Sequence, residues 1–102
     1  MFAITAQLAV NPSLFPKLPF DLIRDYAPIT LAGIAPYLLV VHPSLPAKSI
    51  KELIALAKSQ PNKIDYASSG NGGTQHLTGA LFVKMAGIQM THVPYRGSGP
   101  AT

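Results

Sequence analysis

From Ser49 onward the chain alternates between two hydrophobic periods. Ile50, Leu53, Ile54, Leu56 and Ala57 recur at helical spacing, and Ile64-Asp65-Tyr66-Ala67 alternates as a strand would. Leu77, Ala80, Leu81 and Met85 return to helical spacing, and Gln89 to Val93 reads as another strand. A helix-strand-helix-strand order specifies an α/β fold of βαβ units with a mainly parallel sheet. Local signals set the boundaries. Ser49 is an N-cap with Glu52 three residues on, the capping-box spacing. Pro61-Asn62 stops that helix, with Lys51, Lys58 and Gln60 on its wet face. The strand spans Lys63 to Ala67, and the next helix runs from about Gly73 to Met85. Gly87 is placed as its left-handed C-cap, and Met85 and Met90 read as core filler. Pro100 fits the first position of a further helix.

Between the first of these strands and its helix lies Ser68-Ser69-Gly70-Asn71-Gly72-Gly73-Thr74-Gln75-His76. Its three glycines let the backbone bend tightly and approach a ligand. Amides at a helix start are unused by the helix ladder and carry partial positive charge, so together they favour an anion. Backbone N–H groups of residues 69–74, with the Ser69 and Thr74 hydroxyls and the Asn71 amide, would make an anion clasp for a carboxylate. The same residues also suit a plain, tight strand-to-helix connection. Arg96-Gly97-Ser98-Gly99-Pro100 is a second glycine-rich turn after a strand. Both turns would lie at the carboxyl ends of neighbouring parallel strands, the edge where open α/β sheets bind ligands.

Other chemistries lack their patterns. The serine before the glycines does not sit in a glycine-any-serine-any-glycine elbow, which leaves Ser69 with His76 as the alternative, hydrolase-like pairing. No lysine follows Gly73, as a phosphate loop requires, and Gln75 stands where a dinucleotide fingerprint needs its third glycine. His42, His76 and His92 are far apart in sequence and no carboxylate cluster accompanies them, so no metal or other cofactor is expected. His42 reads as a polar residue at a strand end. The net charge of +4 comes from dispersed lysines and arginines, not from a basic run interleaved with aromatics, so no nucleic acid partner is expected. Cysteine is absent, which removes disulfides and thiol chemistry. No apolar run approaches the roughly twenty residues of a membrane span, and Met1-Phe2-Ala3-Ile4 lacks the basic start of a secretory signal.

The first half is less regular. Pro12, Pro16 and Pro19 are expected to forbid a long helix and to mark turns. Asp21 can cap one helical turn through Asp25. Ile29-Thr30-Leu31-Ala32 and Tyr37-Leu38-Leu39-Val40-Val41 read as strands, the second buried on both faces.

These residues together resemble one family. Lys51-Glu52-Leu53-Ile54-Ala55-Leu56-Ala57-Lys58, Ser68-Ser69-Gly70-Asn71-Gly72, His76-Leu77 and His92-Val93-Pro94-Tyr95-Arg96-Gly97 with Gly99-Pro100-Ala101 are similar to the tripartite tricarboxylate transporter substrate-binding (Bug) receptors. Asn11-Pro12-Ser13-Leu14-Phe15 and Val41 through Lys48 match as well. The resemblance implies a periplasmic protein of two α/β lobes, a type II-like binding-protein fold closing on a dicarboxylate, tricarboxylate or amino acid. It implies docking of the loaded receptor on membrane transporter subunits. Residues 1–40 would be a piece of lobe I and the approach to the hinge, and residues 41–102 the start of lobe II. Ser69, Gly70, Asn71, Gly72, Gly73 and Thr74 would form the second lobe's clasp, with Arg96, Gly97 and Ser98 beside it. Thr5 to Gln7 would belong to a first-lobe loop facing the cleft, and Tyr37 to Val41 would cross the hinge near His42. Many relatives carry a hydroxyl where this chain has Gly73; here the nearest is Thr74. Family members are several-fold longer, so the fold is expected to be incomplete, an internal fragment without a signal peptide. Such a fragment would fold marginally or associate with copies of itself, and the non-catalytic alternative to a receptor is a non-functional remnant.

Overall fold

The computed structural model describes residues 4–21 and 23–102, with the side chains of residues 6 and 7 excepted. The opening Met1-Phe2-Ala3 and Leu22 therefore lie outside the described residues, as does the Gln7 side chain. The chain divides into two compact units, residues 1–38 and 39–102.

In the second unit, helix α2 (Ile50–Ser59), strand β1 (Asp65–Ser68), helix α3 (Thr74–Ala86) and strand β2 (Thr91–Pro94) follow in the expected order. β1 and β2 pair in parallel, with Asp65 opposite Thr91, Tyr66 opposite His92, Ala67 opposite Val93 and Ser68 opposite Pro94. A parallel pair needs a crossover, and α3 supplies it, packing on β1. Asn62 N–H donating to the Gln89 carbonyl at 3.1 Å and Thr91 N–H to that of Ile64 at 3.2 Å lead into the ladder. The fold is α/β and partial.

α2 begins as its sequence dictates. Ser49 Oγ accepts from Glu52 N–H at 3.2 Å, and Glu52 Oε2 accepts from Lys48 N–H at 2.7 Å. The returning arm of the capping box therefore falls one residue earlier than the Ser49 amide. Leu53 and Ala57 are buried and join Ala47 and Ile88 in a small core. Ile54 and Leu56 are half-buried, but Ile50, expected in the stripe, is exposed and lines an open groove with Ala47 and Leu53. Lys51, Lys58 and Gln60 face solvent. α3 ends on Gly87 in the left-handed conformation at φ 61°. Its apolar spacing misleads on burial. Leu81 is exposed, and Met85 is 79% exposed instead of filling a core. The face that packs is the one carrying His76 and Gly79. After β2, Ala101 N–H donates to the Ser98 carbonyl at 3.2 Å and Thr102 N–H to that of Gly99 at 3.3 Å, a hydrogen-bonded turn where a helix start was expected at Pro100.

Residues 26–41 form no strand, contrary to the apolar runs at 29–32 and 37–41. Leu38 is 85% and Val40 70% exposed. A strand exists only with a ladder partner, and among the described residues only β1 and β2 pair. The expectation of a buried hinge strand over 37–41 is corrected accordingly. His42 instead holds a turn: its Nδ1 lies 2.7 Å from Ser44 Oγ and accepts from Ser44 N–H at 3.2 Å.

The first unit is more helical than its prolines suggest. A π-wound segment, Ala6–Val10, runs into helix α1 (Asn11–Leu14). Pro12 is the second residue of α1, just after the winding changes from π to α. Asp21 caps one turn as expected, its Oδ1 accepting from the amides of Ile23 at 2.9 Å and Arg24 at 3.0 Å. The Arg24 guanidinium, and then the Asp21 amide, hold the Asp25 carboxyl below its usual range.

Candidate functional site

The two glycine-rich turns meet. Because β1 and β2 are parallel and in register, both leave the sheet at the same end. Tyr95 N–H donates to the Ser68 carbonyl at 2.8 Å and Gly97 N–H to that of Ser69 at 3.1 Å, joining turn 95–98 to turn 68–74. Ser69, Gly70, Asn71, Gly72, Gly73 and Thr74 thus stand beside Arg96, Gly97 and Ser98. Arg96 is exposed and forms no ion pair among the described residues. Thr5 belongs to the other unit, where it is exposed and begins the helical stretch instead of lying in a loop.

The amides do not all face outward, and this corrects the picture of a uniformly open clasp. Ser69 N–H donates to Gln75 Oε1 at 2.9 Å, Gly70 N–H to Ser68 Oγ at 3.2 Å and Gly72 N–H to His76 Nδ1 at 3.1 Å. The physical reason is local. A turn that precedes a helix brings the first helical side chains, Gln75 and His76, back over its own peptide groups. The amides of Asn71 and Gly73 have no acceptor among the described residues, and the helix ladder begins only with Leu77 N–H donating to the Gly73 carbonyl at 3.1 Å. Gly72 has φ 74°, a conformation that a side chain would strain.

Beneath the turn lies a cluster that spacing along the chain did not reveal. Tyr66 and His92 are cross-strand neighbours on one sheet face, and their rings stack with centroids 5.0 Å apart. α3 crosses that face. His76 stacks on His92, with centroids 3.9 Å apart and planes within 8°. One turn later, Gly79 meets Tyr66 so closely that an added Cβ would lie 2.5 Å from the ring. The helical i, i+3 rise matches the distance between neighbouring strands, so two helix positions cover two strand positions. Ser68, two residues along β1 from Tyr66, shares that face and is 1% exposed. Its Oγ lies 2.7 Å from His92 Nε2 and donates to the Gly70 carbonyl at 3.1 Å. Burial first, and the His76 ring second, hold His92 below the ordinary imidazole range. Burial also pushes the Tyr66 hydroxyl up.

This arrangement suits holding a ligand better than attacking one. His76 Nδ1 is engaged by the Gly72 amide, so it does not serve Ser69 as a base. The serine that does meet a histidine, Ser68, is sealed from solvent. Sequence reading missed Ser68, Gln75 and His92 as parts of the site. Gln75 was findable, since a side-chain acceptor one turn into a helix can reach back to the preceding loop; His92 required the strand register. A groove of about 280 Å³ at the start of α2, lined by Leu39, Val41, Ala47 and Leu53, includes neither turn.

The chain presents backbone amides and an arginine from paired strand-end turns at one edge of an α/β sheet, an arrangement suited to holding a small anion. Over residues 1–102 it matches the tripartite tricarboxylate transporter family receptor profile, and the chain belongs to that family. It is 37% identical to Protein BugT of Bordetella pertussis over 95% of this chain and 30% of that protein. It is 38% identical to a protein from the tcbD-tcbE intergenic region of a Pseudomonas species, over 92% of this chain and 28% of the relative. The chain therefore spans about 30% of the length of these curated relatives. Among solved structures, a periplasmic transporter superposes with a TM-score of 0.79 at 37% identity, covering 97% of this chain and 33% of the other. An R. palustris protein solved with adipate is 42% identical, with a TM-score of 0.56 over 58% of this chain and 20% of its own. The fold is thus a partial periplasmic-binding-protein fold, and the family is one of receptors, not an enzyme class.

Proposed function

We propose that this chain is part of a periplasmic receptor that captures a small carboxylate and delivers it to the membrane subunits of a tripartite tricarboxylate transporter. The observation that carries the reading is the similarity, at 42% identity, to a protein solved with adipate, a dicarboxylate. The joined turns support it. Residues 69–74 supply the amides of Asn71 and Gly73 and the start of α3, while Arg96, Gly97 and Ser98 add a cation and further polar groups at the same edge. A guanidinium and backbone amides are the usual partners of a carboxylate. Residues 41–102 contribute to lobe II and residues 1–40 to lobe I, with Thr5 on the lobe I side of the ligand. The loaded receptor works without chemistry on its guest.

Titration of the isotope-labelled chain with adipate and with citrate, followed by amide NMR, tests the proposal. The Asn71, Gly73, Arg96 and Gly97 signals are expected to move together in a saturable way, with no turnover of the ligand. Gly72→Pro should abolish the response, since proline cannot adopt a φ of 74° and has no N–H to donate. Signals of β1 and β2 that stay in place in this variant would show that the sheet persists. Unchanged binding by Gly72→Pro, or ligand shifts confined to residues far from both turns, would overturn the assignment.

A further inference from the structure

We infer that Ser68, Gln75, His76 and His92 are positioning residues of the carboxylate-binding turn, whose side chains fix the direction in which its peptide planes face. The inference rests on the carboxylate reading above.

Its basis is the pattern of occupied and unoccupied amides. Gln75 Oε1 takes the Ser69 amide at 2.9 Å, Ser68 Oγ that of Gly70 at 3.2 Å and His76 Nδ1 that of Gly72 at 3.1 Å. Within residues 69–73, the amides without an acceptor among the described residues are those of Asn71 and Gly73, on either side of the one that His76 holds. In a trans peptide the N–H and C=O point in opposite directions. Holding the Gly72 N–H on His76 therefore keeps the Asn71 carbonyl turned away from that ring. Without the acceptor the plane is free to rotate, and the Asn71 and Gly73 amides on either side of it lose their fixed direction.

The holding groups are themselves held. His92 Nε2 lies 2.7 Å from the buried Ser68 Oγ, and its ring is flanked by Tyr66 at 5.0 Å and by His76 at 3.9 Å. A line of contacts thus runs from Tyr66 on β1 through His92 on β2 to His76 on α3 and on to the turn. A neutral imidazole has one acceptor nitrogen, so His76 must carry its proton on Nε2 to serve Gly72. The titratable groups stacked against its ring are His92 from β2 and, beyond that, Tyr66 from β1. Burial first, and the adjacent His76 ring second, favour the neutral form of His92.

Nitrogen NMR of the full chain, with adipate as the probe, tests this. The His76 Nδ1 should appear as an acceptor, scalar-coupled to the Gly72 amide nitrogen. Gln75→Ala and His76→Leu should each weaken adipate binding roughly fivefold, the value of one lost hydrogen bond. His76→Asn, whose Oδ1 stands where Nδ1 stood, should restore affinity to within about twofold of the original. A missing coupling overturns the inference. So does His76→Leu binding like the unmodified chain, or His76→Asn failing as badly as His76→Leu. If the unmodified chain shows the coupling but binds neither adipate nor citrate, the carboxylate reading itself is overturned, and this inference falls with it.

Discussion

Gly79 and His92 show how single residues set the geometry of this site. A Cβ on Gly79 would lie 2.5 Å from Tyr66 Cε2 and 2.8 Å from Cδ2. Tyr66 cannot yield freely, because its other side stacks on His92. Alanine gains about 1 kcal/mol of helix propensity over glycine, but overpacking of this kind costs about 1–3 kcal/mol. Gly79→Ala is therefore expected to be destabilising on balance, seen as a lower urea midpoint with an unchanged slope. His92 gives a pH dependence whose sign is fixed. Its folded-state pKa is depressed, by burial first and by His76 second, so the unfolded chain binds a proton more readily. The stabilisation is full above the unfolded value of about 6.5 and is lost as pH falls below it towards the folded value. Thermal unfolding measured at descending pH should show the midpoint dropping through this window, with His92→Gln flattening the drop. A midpoint that rises on acidification would contradict the stack.

The elements differ in how far their own sequences specify them. α2 is nearly self-sufficient in its signals: Ser49 caps it, Glu52 braces the preceding amide of Lys48, and Leu53 and Ala57 fall on one buried face. Ser49→Ala should cost about 1 kcal/mol, the usual value of an N-cap, with helical signal lost first at residues 50–53 in hydrogen exchange. A stability unchanged by this substitution would mean that burial of Leu53 and Ala57 holds the helix without its cap. α3 was legible at its ends, through the glycines before it and Gly87 after it, but not in its buried face. Its leucine and methionine spacing pointed to Leu81 and Met85, whereas the contact with the sheet runs through His76 and Gly79. Small and polar residues were chosen there because two rings from β1 and β2 fill the space. The runs at 29–32 and 37–41 carried a strand pattern but no ladder, since propensity supplies a side-chain preference and not a hydrogen-bonding neighbour.

For the whole molecule, the balance of buried and exposed apolar surface is the dominant fact. Among the described residues the buried apolar core is Ala47, Leu53, Ala57 and Ile88, while Ile29 at 96% exposure, Leu38, Val40 and Met85 stand in solvent. Exposed apolar groups in this number favour association, so sedimentation of the chain at rising concentration should reveal oligomers that disperse at low concentration. A monomer at every concentration, with no binding of a hydrophobic dye, would contradict this expectation. The amino-acid order alone determined the caps, the two glycine turns and each helix or strand after Ser49, because each is written in neighbouring residues, and it carried the family in motifs spread along the chain. The tertiary structure decided which amides of the turn are occupied, which histidines meet and which apolar runs are left bare. Those outcomes depend on β2 lying beside β1 with Tyr66 opposite His92, a pairing between residues 26 apart in the chain. Only the crossover through α3 brings them together, and no local pattern encodes the neighbours that a crossover will supply.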